Sequence, residues 1–417
     1  MNTKFSRREI IGLLGAGALM GMMPRVAGAG QKLFRIRTIT AGVQMQNTSD
    51  TTSLMNAIEF LLQARSSYQA LGYEVQTVRV ATQPLTEYCE DWSSDRSIEK
   101  LLKLDQIATA HQLNFSIGPV ITKNLLKKDF AAWAAELIKN TQSINFSVQV
   151  ASTKLGVHQQ TVDVAAEAIQ SIAQVLTNGE GNFRFAASAF CPPGTPFFPA
   201  AYHQGKPAFS LGLESPRLLQ TVFSETSDRS DAKRRLKQQM ENLYEPLAKQ
   251  ALTLAGQSQR RYLGMDVSPA PAPDASIGQA IEILTGAPFG SASTLAGCAA
   301  ITDVLKSLNL KKCGYSGLML PVLEDSVLSA RAAEGRYSVS ELLLYSSVCG
   351  TGLDVVPLAG DTTSDAIAAL IGDMAALATK YQKPLSARLL PLPGLKVGDI
   401  ARFNNPYLVD SVVMKID

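Results

Sequence analysis

The sequence predicts an α/β fold in which strands alternate with helices. Three observations support this prediction. Short alternating or β-branched runs recur along the chain, amphipathic segments separate most of them, and together they give roughly nine or ten strands. Such alternation is typical of a sheet with much parallel pairing. No Gly/Ser linker and no repeat of fixed period divides the 417 residues, a length that suits two ordinary domains or one large α/β barrel.

The first half of the body carries five predicted strands. A helix after the first strand is predicted because Leu54, Ile58 and Leu61 recur at helical spacing behind a capping Asp50. The strands are predicted at residues 34–40, 73–80, 114–120, 145–150 and 183–190. The helices between the later strands are predicted at residues 97–111, around Trp133, and at residues 161–176.

The second half repeats the alternation with longer connections. Residues 227–250 are highly charged and predict a helix with a solvated outer face. A last helix is predicted after Asp361, with Thr363 or Ser364 as its cap, because apolar residues from 367 to 377 share one face. The strands of this half are predicted at residues 207–213, 262–267, 316–321, 353–357 and 386–391.

The net charge of +3 is confined to the N-terminal segment. Four of the 39 basic residues and one of the 36 acidic residues lie in residues 1–29, which leaves 35 of each in residues 30–417. A balanced body has no electrostatic footprint for nucleic acid or anionic lipid. We therefore expect no nucleic-acid partner.

Residues 1–29 have the pattern of an export signal. Ser6-Arg7-Arg8 precedes a weakly hydrophobic run from residue 10 to residue 23, and Ala27-Gly28-Ala29 resembles a cleavage site. This predicts a twin-arginine signal, the twin-arginine translocase as partner during export, and a periplasmic or otherwise exported location. An ordinary secretory signal or an uncleaved anchor is the alternative. Residues 30–417 are then predicted to form a single α/β domain.

The first polar cluster follows the strand at residues 183–190. Four prolines and a glycine stiffen residues 191–203, which also present Cys191, Thr195, Tyr202 and His203. One interpretation is a pocket wall with Cys191 as nucleophile or His203 as base. The alternative is a rigid loop around a buried cysteine. The chain has five cysteines and no CxxC spacing, so free thiols are expected.

Two further clusters also follow predicted strands. Asp266 and Ser268 lie on one side of a strand end, where they bind a ligand or satisfy a turn. Ser316 precedes the adjacent carboxylates Glu324 and Asp325, which provide acid/base groups or metal ligands, or else favour the dipole of the next helix.

The last clusters surround two strands near the C-terminus. Glycines flank Cys349, which is either a reactive pocket thiol or a small buried hydrophobic residue, and Asp354 and Asp361 bracket the strand that follows. Arg388 lies in an apolar strand, where it binds an anionic substrate group or forms an internal ion pair.

Stretches spread along the whole mature chain resemble one family, uncharacterised protein family 0210, a domain of unknown function also numbered 711. The stretches are FRIRTITAGV, ASTKLGV, DVSPAPAPDASIG, YSGLMLPVLED, CGTGLDVVPLAGDTTSDAIAALI and the C-terminal MKID. The resemblance implies a single large ten-stranded α/β barrel similar in fold to the pyruvate formate-lyase-like glycyl radical enzymes. It implies no activity. Residues 392–399 read LPGLKVGD and lack the arginine-valine-x-glycine-aromatic loop of those enzymes, so we expect no glycyl radical chemistry.

These patterns lead to the hypothesis of an exported enzyme that acts on a small polar or anionic metabolite. Acid/base or metal-assisted chemistry, as in a lyase, isomerase or hydrolase, is expected where the clusters converge at one mouth of the barrel. The predicted catalytic residues are His203, Glu324 and Cys349. The predicted substrate-binding residues are Thr195, Tyr202, Ser268, Ser316 and Arg388. The predicted ligands of a divalent metal are Asp266, Asp325, Asp354 and Asp361.

A non-catalytic periplasmic small-molecule binding protein is the alternative function. A binding protein of this kind would show a linker between two lobes in its sequence, and we do not find such a linker. The presence of a metal and the formation of a homo-oligomer are left open by the sequence.

Overall fold

A computed structural model describes residues 33–226 and 228–416. The predicted signal at residues 1–29 lies outside these residues. The predicted α/β fold is confirmed: one ten-stranded sheet is combined with helices, and a separate two-stranded sheet lies near the C-terminus. The strands are β1 (Arg35–Val43), β2 (Val75–Thr82), β3 (Asn114–Ile121), β4 (Ile144–Ser152), β5 (Gly156–Val157), β6 (Phe185–Ala189), β7 (Ala208–Glu214), β8 (Arg261–Asp266), β9 (Gly352–Ala359), β10 (Leu385–Leu392), β11 (Ile400–Ala401) and β12 (Ser411–Val412).

The large sheet has the strand order β8-β7-β1-β2-β3-β4-β6-β10-β9, with β5 paired to β4. Strands β1, β2, β3, β4 and β6 are parallel to their neighbours within this block. The flanking strands β7 and β10 each pair antiparallel with the block, and each has a parallel partner of its own, β8 and β9. The predicted parallel pairing is therefore present, in a central block with two reversed pairs beside it.

The helices follow the strands and cover the sheet. They are α1 (Thr51–Ala70), α2 (Asp95–Ala110), α3 (Phe130–Asn140), α4 (Gln159–Ala173), α5 (Pro216–Ser224), α6 (Arg229–Ser258), α7 (Ile277–Thr285), α8 (Thr294–Ser307), α9 (Ser326–Ala333), α10 (Val339–Tyr345) and α11 (Ser364–Tyr381). Short 3-10 helices lie at Leu85–Glu87, Thr177–Arg184 and Val322–Glu324.

Two helix starts agree with the predicted caps. The side chain of Asp50 accepts a hydrogen bond from the backbone N–H of Ser53 at the start of α1. Thr363 accepts one in the same way from Ala366 at the start of α11. Each bond satisfies a backbone donor that the first turn of a helix leaves without a partner. The charged helix is longer than predicted, because α6 continues to Ser258 through Pro246.

Residues 316–321, which were predicted to be a strand, form no strand ladder. Ser316 has a φ of 41°, in the left-handed region, which interrupts an extended conformation. The segment nevertheless approaches both ends of the sheet. Lys312 forms an isolated bridge to Met265 of β8, and Pro321 forms one to Asp354 of β9. Within the described residues the ladders leave β8 and β9 as ends of the strand order, so a closed barrel is not shown.

Candidate functional site

A cavity of about 480 Å³, here called the central cavity, is lined by residues of the large sheet. Side chains from β1, β2, β3, β4, β6, β9 and β10 all line it, although these strands span most of the sheet order. Its charged and amide-bearing lining consists of Arg37, Arg79, Asn114, Gln142, Asn145, Glu180, Arg184, Glu324, Asp354, Arg388, Asn404 and Asn405. Its aromatic lining consists of Phe183, Phe197, Phe198, Tyr315 and Tyr407.

Glu324 lies at the centre of a buried ionic network. Its Oε2 accepts from Nη2 of Arg37 at 3.2 Å, and its Oε1 accepts from Nη2 of Arg388 at 2.7 Å. Arg37 also donates to Oε2 of Glu214 at 3.3 Å. Because these groups are buried, each charge needs a partner of opposite sign to offset its loss of hydration. The network therefore fixes charged side chains of β1, β7 and β10 relative to one another.

Arg388 is matched by two carboxylates. Beside Glu324, its Nε donates to Oδ1 of Asp354 at 2.8 Å. Its guanidinium also lies 4.7 Å from the ring centroid of Phe183. Burial opposes the charge, but Asp354 and Glu324 together raise the pKa of Arg388 above its ordinary value. Arg388 is therefore a paired cation whose position is fixed by three neighbours.

Arg79 lines the same cavity without such a partner. Its Nε donates to Oγ1 of Thr77 at 3.3 Å, and its guanidinium lies 5.1 Å from the ring centroid of Phe198. Among the described residues, no carboxylate lies within ion-pair distance of it. Burial lowers the pKa of Arg79, and the charge of Arg37 adds to this effect. An arginine stays protonated near neutral pH, so the guanidinium of Arg79 is a charge with no counter-charge in contact with it among the described residues.

Arg184, another arginine of the cavity lining, makes its hydrogen bonds to the protein itself. It donates to the backbone oxygens of Ile138 and Ile144 and to Oγ1 of Thr141. Ile138 belongs to the last turn of α3, whose carbonyls lack partners within the helix. The hydrogen bonds of Arg184 are thus committed to the fold, which leaves Arg79 as the better candidate for binding an anion.

Hydroxyl groups line another part of the central cavity. The hydroxyls of Tyr315 and Ser386 lie 2.9 Å apart, and Ser386 Oγ donates to the backbone oxygen of Thr351 at 3.2 Å. Thr351 lines the cavity and is 2% exposed, and its own Oγ1 has no hydrogen-bond partner among the described residues. The hydroxyls of Tyr315 and Ser386 are therefore hydrogen-bond partners, whereas the Thr351 hydroxyl has no partner among the described residues.

Three of the predicted site residues meet in this cavity: Glu324, Asp354 and Arg388. The loop at residues 191–203 also reaches it, but through Phe197 and Phe198 and not through its polar side chains. The five polar clusters therefore do not converge at one mouth, contrary to the prediction.

His203 lies elsewhere, near the ends of β1 and β2. Its backbone N–H donates to the oxygen of Thr82 at 2.8 Å, and its Nε2 lies 3.0 Å from the backbone oxygens of Gly205 and Lys206. Burial lowers the pKa of His203. The ring packs so closely on Gly42 that an added Cβ there would lie 2.2 Å from Nδ1. His203 does not line the central cavity, so a role as base there has no geometric support.

Thr195 and Tyr202 of the same loop are also absent from the cavity lining. Thr195 Oγ1 donates to the backbone oxygen of Pro192 at 2.7 Å, which closes a turn within the loop. Burial raises the pKa of Tyr202 to about 12, with Cys191 adding to it. The Thr195 side chain and the backbone oxygen of Tyr202, which accepts from the N–H of Gly194, hold the loop together, in agreement with the structural alternative.

Asp266 organises a turn instead of a metal site. Its Oδ1 accepts from the N–H of Ser268 and Ser316, and its Oδ2 accepts from the N–H of Tyr315. Ser268 Oγ donates to Asp266, and Ser316 Oγ donates to the backbone oxygen of Cys313. Burial raises the pKa of Asp266 to about 6, although these bonds oppose the shift. Asp266, Ser268 and Ser316 are therefore occupied in holding the turn that presents Tyr315.

Asp325 caps one helix and joins it to another. It accepts from the N–H of Val327 and Leu328 in the first turn of α9, and from the N–H of Ile277 and Gly278 in α7. Burial raises its pKa, and the bonds oppose that shift. All of these contacts are structural, as the helix-start alternative expected.

Cys349 and Asp361 do not line the cavity either. Cys349 is buried, and burial raises the pKa of its thiol although nearby Lys383 opposes the shift, so the thiolate is disfavoured. Asp361 is exposed. No group of three or more His, Cys, Asp or Glu side chains in the described part of the chain could hold a metal ion, so the predicted set of aspartate ligands is not brought together. All five cysteines are free, as predicted.

Arg37 and Arg79 line the cavity but were not among the predicted site residues. The signal was present, since Arg79 stands between Val78 and Val80 in a predicted strand. It is the same signal that singled out Arg388: a charged side chain inside an apolar strand requires a partner or a function.

Comparison with known proteins gives a consistent result along the chain. Residues 29–404 match the family described as "Uncharacterised ACR (DUF711)". A UPF0210 protein of Pyrobaculum islandicum is 30% identical, covering 81% of this chain and 78% of the relative. UPF0210 proteins of Syntrophobacter fumaroxidans and Neisseria meningitidis are 28% and 25% identical, covering 83% and 89% of this chain and 80% and 88% of the relatives.

These comparisons correct the hypothesis of an exported enzyme. The relatives carry only the name UPF0210 protein, which gives neither a reaction nor an export route. The predicted function of an exported lyase, isomerase or hydrolase is therefore wrong. Within the described residues, no helix is long and apolar enough to cross a membrane. The predicted twin-arginine signal lies outside the described residues, and the predicted location stays a prediction.

Proposed function

Since the chain belongs to the uncharacterised DUF711 (UPF0210) family, we propose a function from the central cavity itself: the protein binds a small ligand that combines one anionic group with a flat apolar body. The proposal concerns binding, and no reaction is assigned to it. The anionic group is a carboxylate or a phosphate, because both present oxygens to a guanidinium in the same way.

The observation that carries the proposal is the state of Arg79. Arg37 and Arg388 have carboxylate partners at 2.7–3.3 Å, whereas Arg79 has only a hydroxyl and an aromatic ring. Arg79 is only partly buried, but a cation with no counter-charge in contact with it still loses hydration, and an anion placed beside it would recover part of that cost. Arg79 is thus the expected anchor for the anionic group.

The apolar part of the ligand is inferred from the aromatic lining. Phe183, Phe197, Phe198 and Tyr407 surround the same cavity as Arg79. Aromatic side chains favour flat partners through stacked or edge-to-face contacts. A cavity of about 480 Å³ lies in the range used by small-molecule sites.

We also propose that residues 312–321 close the sheet into a barrel around this cavity. The bridges from Lys312 to Met265 and from Pro321 to Asp354 support it, because they reach the two strands that end the sheet order. Tyr315 and Met319 of this segment line the cavity. The segment would then form the tenth position of the barrel that the family resemblance implies.

The test uses benzoate and phenyl phosphate as separate probes, with calorimetric titration and thermal unfolding as readouts. We expect one of them to bind the wild-type protein and to raise its unfolding temperature in a saturable way. Arg79→Gln should weaken that binding about tenfold or more, and Arg79→Lys should weaken it less. The control is Arg96→Gln, an exposed position on α2, which should bind as the wild type does. Equal binding by wild type and Arg79→Gln would refute the proposal.

A further inference from the structure

We infer that the anionic group of the ligand carries one negative charge and is bound by Asn114 together with Arg79. The ligand class is then the aromatic monocarboxylic acids, and not the phosphate esters. This inference rests on the proposed function, because it describes the anion site of the same cavity. It chooses between the two anionic groups that the guanidinium of Arg79 accepts in the same way, and it adds a second binding residue to the site.

Asn114 is the direct neighbour of Arg79 across the sheet. In the parallel pairing of β2 with β3, Arg79 stands opposite Asn114, and adjacent strands of a sheet lie about 4.8 Å apart. Both residues line the central cavity, so their side chains are on the same side of the sheet. A ligand group beside the guanidinium is therefore also close to the amide of Asn114.

The amide of Asn114 is available to a ligand. Asn114 is only partly buried, and its side chain has no hydrogen-bond partner among the described residues. Two other amides of the lining are engaged, because Asn145 Nδ2 donates to the backbone oxygen of Ser143 at 2.8 Å and Asn405 Oδ1 accepts from the N–H of Tyr407 at 3.0 Å. An amide nitrogen has two N–H donors, so Asn114 can bind one oxygen of a carboxylate while a guanidinium binds the other.

The charges of the cavity lining favour a ligand with a single negative charge. Within the described residues the lining has four guanidiniums and three carboxylates, which leaves an excess of one positive charge. Glu214 pairs with Arg37 but also with Arg35, so this neighbouring pair adds one charge of each sign. The charged lining residues are Arg37, Arg79, Arg184 and Arg388 against Glu180, Glu324 and Asp354.

A carboxylate balances this excess, whereas a phosphate ester does not. Near neutral pH a phosphate ester carries close to two negative charges. The second charge would have no partner in the lining and would be repelled by the carboxylates already there, which is costly in a site removed from water. The cavity should therefore discriminate against a doubly charged group even though Arg79 and Asn114 have donors for it.

The first measurement compares three anions on the wild-type protein by calorimetric titration at about pH 7.5. The anions are benzoate, phenyl sulfate and phenyl phosphate. The two esters share a tetrahedral anionic group, but the sulfate carries about one negative charge and the phosphate about two. We expect benzoate to bind about tenfold more tightly than phenyl phosphate, and phenyl sulfate also to bind more tightly than phenyl phosphate. This comparison needs no variant, so it holds whatever a substitution does to the fold.

Substitutions of Asn114 test the second contact. Asn114→Ala removes the amide donors and should weaken benzoate binding about fivefold to tenfold. Asn114→Asp keeps the size of the side chain but cancels the excess positive charge, so it should weaken binding more than alanine does. The control is Asn56→Asp, at an exposed position of α1, which makes the same change in net charge and should bind benzoate as the wild type does. Thermal unfolding checks that all three variants are folded.

The outcomes separate the inference from the proposed function. If phenyl phosphate binds as tightly as benzoate, or phenyl sulfate no better than phenyl phosphate, the single charge is refuted while the anion site at Arg79 stands. Wild-type affinity for benzoate in both Asn114 variants, or an equal loss in Asn56→Asp, would refute the role of Asn114. If none of the three anions binds the wild-type protein, the proposed function fails together with the inference.

Discussion

Arg388 and Glu324 form a buried ion pair in which Nη2 of the arginine donates to Oε1 of the carboxylate at 2.7 Å. The two residues come from β10 and from the 3-10 helix before α9. The same carboxylate accepts from Arg37 of β1 through its other oxygen. One side chain thus connects three separate parts of the chain beneath the central cavity.

Glu324→Gln is expected to reduce the free energy of unfolding by about 3 kcal/mol, because it leaves two buried guanidiniums with one carboxylate fewer. It should also strengthen benzoate binding, since Glu324 lies close enough to stabilise the charge of Arg79 electrostatically. Chemical denaturation and calorimetric titration measure the two effects. The control is Asp303→Asn, which removes an exposed partner of Lys233 and should change stability by about 1 kcal/mol or less. Equal effects of the two substitutions would contradict the role given to the network.

Asp325→Ala is expected to cost about 3 kcal/mol of unfolding free energy, because one carboxylate satisfies backbone donors at the starts of both α7 and α9. Asp228, the exposed cap of α6, accepts from one backbone N–H within the described residues, that of Asp231. Asp228→Ala should therefore cost only about 1 kcal/mol. Ligand affinity should not change in either variant. If Asp325→Ala is fully folded but binds the ligand much more weakly, Asp325 belongs to the binding site, as the sequence suggested.

Two glycines should respond in opposite directions to alanine. A Cβ on Gly317 would lie 2.5 Å from the Cα of Gly350, so Gly317→Ala should destabilise the fold by about 3 kcal/mol. Gly372 lies in α11 with nothing within 4 Å of an added Cβ. Gly372→Ala should therefore stabilise by about 1 kcal/mol, the difference in helix propensity. Denaturant unfolding of both variants checks the pair, and an unchanged stability of Gly317→Ala would mean that the two backbones separate easily.

Because His203 is buried, we expect the free energy of unfolding of the protein to fall on acidification. Burial lowers its pKa in the folded protein, so below the ordinary value of about 6.5 the unfolded state takes up a proton that the folded state does not. This difference is absent at higher pH and grows as the pH falls toward the folded-state pKa. One proton contributes at most about 1.4 kcal/mol per pH unit.

The measurement for His203 is the free energy of unfolding between about pH 7 and about pH 5. His203→Gln should decline less over this range than the wild type. Identical slopes in the wild type and His203→Gln would show that His203 does not control this dependence.

Most of the sheet was predictable because local pattern specifies it. Strands β1 and β10 follow directly from alternating or β-branched runs, and Asp50 and Thr363 cap the helices that pattern predicted. Residues 316–321 also read as apolar and extended, but the left-handed Ser316 and the close contact of Gly317 with Gly350 replace the ladder there. That outcome depends on a contact between distant parts of the chain, which no local pattern contains.

The site was only partly predictable, because polarity in a sequence does not say which space a side chain faces. Glu324, Asp354 and Arg388 were identified and do meet. His203 and Asp325 have equally suggestive neighbours in sequence, but backbone groups bond Nε2 of His203 and the carboxylate of Asp325 away from the cavity. The importance of Arg79 arises from the absence of a carboxylate beside it within the described chain, and such an absence becomes visible only once the strands are placed.

The most direct test of the anion-binding cavity is a crystal structure of the protein with 4-bromobenzoate, whose bromine is located by anomalous scattering. We expect a bromine peak inside the central cavity among Phe183, Phe197 and Phe198, with a carboxylate oxygen within about 3.2 Å of the Arg79 guanidinium. Crystals of Arg79→Gln grown under the same conditions should lack the peak. A peak at another surface, or a carboxylate in the cavity that faces away from Arg79, would contradict the account.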